Sequence, residues 1–124
     1  MGRRGAAAKQ AGKALERVVM TALGGRRFPA DVGGPLDGEL PDLVVSCKHV
    51  GSMSLAALTA EVERIDDEGI TRGKMGILVV KRRSGPGRET TPVVCMPLGQ
   101  FTKWRTLALA LAERTMPEED DARP

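Results

Sequence analysis

Apolar residues recur at steps of three and four along the first part of this chain. Ala11, Ala14, Leu15, Val18, Val19, Ala22 and Leu23 share one face, which predicts a helix from Ala6 to Leu23. Gly24-Gly25 ends it, as glycines do beyond helix C-termini. Arg26 to Val32 reads as short extended segments, and Gly33-Gly34-Pro35 and Asp37-Gly38 are turn signals. From Asp42 to Lys48 the pattern becomes that of a half-buried strand. Leu43, Val45 and Cys47 face one way, and Val44, Ser46 and Lys48 the other. Ser52 or Ser54 then caps a second helix, with Leu55, Leu58, Val62 and Ile65 as its apolar stripe. Its other faces carry Glu61, Glu63, Asp66, Asp67 and Glu68, and Gly69 and Gly73 close it.

Met75 to Lys81 is almost continuously apolar, as in a central strand. Arg82 to Arg88 is a basic loop around Gly85-Pro86-Gly87, and Thr91 to Leu98 is a further strand. A last helix starts near Gly99, with Phe101, Trp104, Leu107, Ala108 and Leu111 on one side, and Pro117 stops it. Helices alternating with strands predict an α/β fold, a small mixed sheet flanked by helices. The expected organisation is a flexible basic arm at 1–5, one domain at 6–116 and a disordered acidic tail at 117–124.

With 124 residues the chain makes one domain. Its hydrophobic and charged fractions, 41% and 28%, are those of a soluble globular protein. No apolar run approaches a membrane span, so no membrane partner is expected. The N-terminus lacks an apolar signal core, so the expected location is cytoplasmic. Cys47 and Cys95 lie in apolar runs without metal-ligand spacing and read as buried thiols; a disulfide between neighbouring strands is the other reading. A single His argues against a histidine metal site or triad. An aromatic fraction of 2% argues against a stacking platform for single strands.

Charge is segregated. Residues 1–30 carry a net +6, 31–68 a net −7, 69–114 a net +7 and the last ten −3. Two basic blocks around an acidic centre fit a polyanion surface around a cation site.

The motifs, in order, are Gly12-Lys13-Ala14-Leu15-Glu16, Arg26-Arg27, Ala30-Asp31-Val32, Val44-Val45-Ser46-Cys47-Lys48-His49 and Ser52-Met53-Ser54-Leu55. Ile77 to Lys81 and Val93 to Leu98 follow. Together they resemble the PD-(D/E)xK superfamily, and among its members the small phage-type Holliday junction resolvases. The resemblance implies a restriction-endonuclease-like αβββαβ core and a metal-dependent endonuclease cutting branched duplex DNA in recombination. Two cuts on opposite strands imply a homodimer, with the Trp104 stripe or the second helix as its interface. A phage-encoded enzyme of this kind would work in the cytoplasm of a bacterial host.

The implied cofactor is Mg²⁺ or Mn²⁺, which neutralises phosphate charge and activates a water. Asp31 would be a metal ligand, Lys48 the catalytic lysine and Glu16 the outer acidic residue near the metal. Residues 46 and 48 lie about 6.6 Å apart on one strand face and so converge on one phosphate. The departure is Ser46, where the family places a carboxylate. Asp42 lies roughly 13 Å up the strand and is a poor substitute. Glu61, on the edge of the second helix's stripe, is the better candidate for a migrated carboxylate and metal ligand. Arg3, Arg4, Arg26, Arg27, Arg82, Arg83 and Arg88 are the candidate DNA phosphate contacts. Ser46 also supports a second expectation, a catalytically silent nuclease fold that binds DNA. Taken singly, Asp31 reads as a turn residue, Lys48 as a solvated charge, Glu16 as a surface helix former and His49 as a polar strand-end residue.

Overall fold

The computed structural model describes residues 2–28 and 36–115, with side chains from Ala11 onward. Asp31, the side chains of Arg3 and Arg4, and the acidic tail lie outside the described residues. The order is α1 (Gly2–Leu23), β1 (Arg26–Arg27), β2 (Gly38–Glu39), β3 (Leu43–Val50), α2 (Leu55–Thr71), β4 (Met75–Arg82), β5 (Val93–Cys95) and α3 (Leu98–Thr115). Helix α1 begins at Gly2 and takes in the segment expected to be a basic arm. Ala6, Ala7, Ala8 and Ala11, the strongest helix formers, follow it directly.

The strands form one mixed sheet in the order β1-β2-β3-β4-β5. Only β3 and β4 are parallel, in a register running from Leu43 opposite Met75 to Val50 opposite Arg82. Helix α2 is the crossover between them, as a parallel pair requires. Its N-cap is Ser54, whose hydroxyl accepts from the Ala57 N–H at 3.1 Å.

Strand β3 is buried on both faces, not half-buried as its alternation predicts. Leu15, Val19 and Met20 of α1 pack on Val45, Ile77 and Val79. On the opposite face Ile65 of α2 packs with Val44 and Leu36. Val44, Val45 and Ser46 are therefore all enclosed, Ser46 at 1% exposure. Helix α2 comes very close to the sheet at two glycines. A Cβ on Gly76 would stand 2.1 Å from the Ile65 carbonyl oxygen, and one on Gly69 2.7 Å from backbone of Lys74 and Gly76. This contact fixes α2 over β3 and β4.

Other apolar positions of the helices stay exposed. Val18 and Leu23 of α1 and Leu55 of α2 face solvent. No residue of α3 is buried, although its apolar stripe predicts a packed face. One side-chain bond ties α3 to α2, from Gln100 Nε2 to Asp66 Oδ1 at 3.1 Å.

Candidate functional site

The sharpest polar arrangement lies where β2 gives out beside β3. Asp37, expected as part of a turn, extends the ladder by one residue. Its N–H donates to Val45 O at 2.8 Å, and its carbonyl accepts from the Phe28 N–H at 2.9 Å. Beyond it β3 has no strand partner on that side among the described residues. The Asp37 carboxylate fills the gap, accepting the Cys47 N–H at 2.7 Å and the Ser46 hydroxyl at a long 3.5 Å.

Glu16 reaches the same point from α1. Burial raises the Asp37 pKa above its ordinary 3.8, the Cys47 N–H bond opposes the rise, and the neighbouring Glu16 carboxylate adds to it. Lys48 is close enough to pull the other way. Arg27 on β1 binds Glu16 with Nη2–Oε2 at 3.0 Å and so holds it from the far side. Two carboxylates and one arginine, from α1, the start of β2 and β1, thus meet at the edge of β3, with Lys48 nearby but not ion-paired to them.

Cys47 lies under this pair. Burial, then the Asp37 and Glu16 charges, push its thiol up to about 12. Cys95 is raised by burial as well, and both cysteines are free. Neither has the thiolate character of a nucleophile.

Of the expected site residues, Glu16 and Ser46 adjoin Asp37, and Lys48 lies near it without an ion pair. Ser46 is enclosed beneath α2, so it does not share an open face with Lys48 as strand spacing alone implies. Asp31 lies outside the described residues, and Asp37 is a carboxylate beside Ser46 and Cys47 that was not among the expected site residues. Its signal in the sequence, Asp followed by Gly, is that of a turn. A Leu-Asp-Gly-Glu segment standing just ahead of the lysine strand was the usable clue.

Glu61 lies one turn before Ile65, about 6 Å up α2. That matches two residues along β3, from the level of Val44 to that of Ser46. Its carboxylate accepts from Arg64 on the same helix, and no contact joins it to Asp37 or Lys48 among the described residues. No group of three metal-capable side chains occurs among them.

The arginines divide. Arg27 belongs to the site. Arg26 points elsewhere and joins Glu39 and Lys74 in an ion-pair network. Arg82 pairs with Val50, about 10 Å beyond the level of Cys47 along the same strands. Arg83 follows it, its N–H bound to Val50 O. The loop carrying Arg88 is braced by Ser84 Oγ donating to Arg88 O and Thr90 Oγ1 donating to Arg82 O. The neighbouring His49 Nδ1 is buried without a partner among the described residues. It borders a cleft of about 310 Å³ between α1, Lys81 and Pro92.

To a hard, oxygen-binding divalent cation the described residues offer two neighbouring carboxylates, Glu16 and Asp37, and no third ligand. Mg²⁺ is commonly held by one or two carboxylates plus waters and substrate phosphate. No family model matches the chain, and neither a curated protein nor a solved structure does. No described helix is long and apolar enough to cross a membrane.

Proposed function

We propose that the chain is a metal-dependent DNA endonuclease of the restriction-endonuclease-like kind, acting on branched duplex DNA as a Holliday junction resolvase does and working as a homodimer. The observation that supports this reading is the pairing of Glu16 with Asp37 at the edge of β3, with Lys48 nearby on the same strand as Cys47.

In this reading Glu16 and Asp37 hold Mg²⁺ or Mn²⁺. When bound, the cation supplies charge neutralisation of the phosphate and an activated water. Lys48 steadies charge developing on the phosphate oxygens. Arg27 keeps Glu16 against Asp37. Arg82, Arg83 and Arg88, at the same end of the sheet, take flanking phosphates. Asp37 supplies a carboxylate from β2, which lessens the need for one at position 46.

Two observations favour a second reading, a silent nuclease fold that only binds DNA. Ser46 stands where a carboxylate is expected, and no third metal-capable side chain joins the pair among the described residues. One experiment separates the two: branched and linear duplexes are incubated with the protein and Mg²⁺ or Mn²⁺. Cleavage of the branched substrate supports the enzyme. Salt-dependent binding without cleavage of either substrate supports the silent fold.

A further inference from the structure

Helix α3 is a poor fit to a single chain. An 18-residue helix in water draws most of its stability from packing an apolar face, yet none of its residues is buried. The stripe does not lie against the sheet. It stands off and leaves a cleft of about 430 Å³ between Trp104, Leu107 and Leu111 on one wall and Leu43 and Met75 on the other. The exposed large apolar residues concentrate here. Among the described residues eight of twelve fall between Val93 and Leu111, on α3 and on β5, the strand at the opposite end of the sheet from β1 and Arg27.

We infer that this β5–α3 surface is covered by the same surface of a second copy of the chain. The area supports that occupant. Leu98, Phe101, Trp104, Leu107 and Leu111 are 78%, 46%, 51%, 68% and 61% exposed. Taking about 200 Å² for an aromatic side chain and about 100 Å² for a leucine, they offer roughly 400 Å² of apolar surface per chain. A standard interface buries about 800 Å² per partner, a little over half of it apolar, so about 450 Å² is needed. The stripe is also complementary to itself. Two copies of α3 packed antiparallel set Trp104 over the small Ala108 of the partner and Phe101 against Leu111, large against small, as close packing requires.

The competing interface is used in part, with Leu55 exposed. The stripe of α2 packs Ile65 into the core of its own chain. The inference shares with the nuclease reading only the expectation of two copies, and its test needs neither DNA nor metal.

Trp104 is the only tryptophan, so its emission reports the contact directly. The full chain is followed by light scattering and Trp104 fluorescence from nanomolar to high micromolar concentration. The expected result is a dimer whose Trp104 emission moves to the red on dilution. The Leu107→Glu, Leu111→Glu double variant should weaken association about 100-fold or more, because charges would be desolvated inside the contact. Neither leucine is buried in one chain, so circular dichroism should still show the folded sheet. A wild-type chain that stays monomeric with unchanged emission would overturn the inference, whatever the variant does. So would a dimer that the double substitution leaves intact.

Discussion

Asp37 performs two tasks that pull in opposite directions. Its carboxylate closes the β3 ladder at Cys47, yet it sits half-buried beside Glu16, where charge is unfavourable. Its pKa is raised in the fold, so the folded state holds a proton that the unfolded state releases. Stability therefore falls as pH rises from about 3.8 through the folded value and stays lower above it. Asp37→Asn removes this penalty and can keep an acceptor for the Cys47 N–H. The variant should melt higher than wild type at neutral pH, with the gap closing as pH approaches 3.8. Thermal melts across pH check this. Ser46→Glu should do the reverse, setting a further carboxylate into an enclosed position. Melting of that variant should drop by the equivalent of about 1–3 kcal/mol without metal and recover with Mn²⁺. The Cys47 thiol, at about 12, should resist alkylation in the native protein and react only on unfolding.

Helix and strand periods made the elements legible in the sequence, because each long element has a face that must be buried. The run from Met75, the Ser54 cap and the glycines after Leu23 all read correctly. Three features did not. The double burial of β3 depends on two helices arriving from opposite sides, which alternation within one strand does not record. Asp37 is disguised by its glycine, since Asp-Gly is a turn signal wherever it occurs. The exposure of α3 is a fact about what it lacks, and its stripe looks like that of any packed helix. The close seat of α2 on the sheet is testable in its own right. Gly76→Ala would drive a methyl group into the Ile65 backbone and should cost about 3 kcal/mol in urea denaturation. Gly85→Ala, in open space within the loop, should change stability little.

At the scale of the molecule, the segregated charge of the sequence becomes a division of labour across the sheet. The carboxylate pair and Lys48 lie at the β1–β3 side, arginines follow the ends of β3 and β4, and the apolar surface lies at β5 and α3. DNA binding should weaken steeply with salt. Arg82→Ala with Arg83→Ala should reduce the salt slope by about 2, whereas Arg26→Ala, tied to Glu39, should change it less. Asp37, with Glu16 and nearby Lys48, is the proposed point of phosphodiester cleavage. The most direct measurement is the cleavage rate of a branched duplex in Mn²⁺ by wild type and by Asp37→Asn, each shown to be folded. Cleavage by wild type and a loss of about 100-fold or more in the variant is the expected result. No cleavage by wild type, or an undiminished rate in Asp37→Asn, would contradict it.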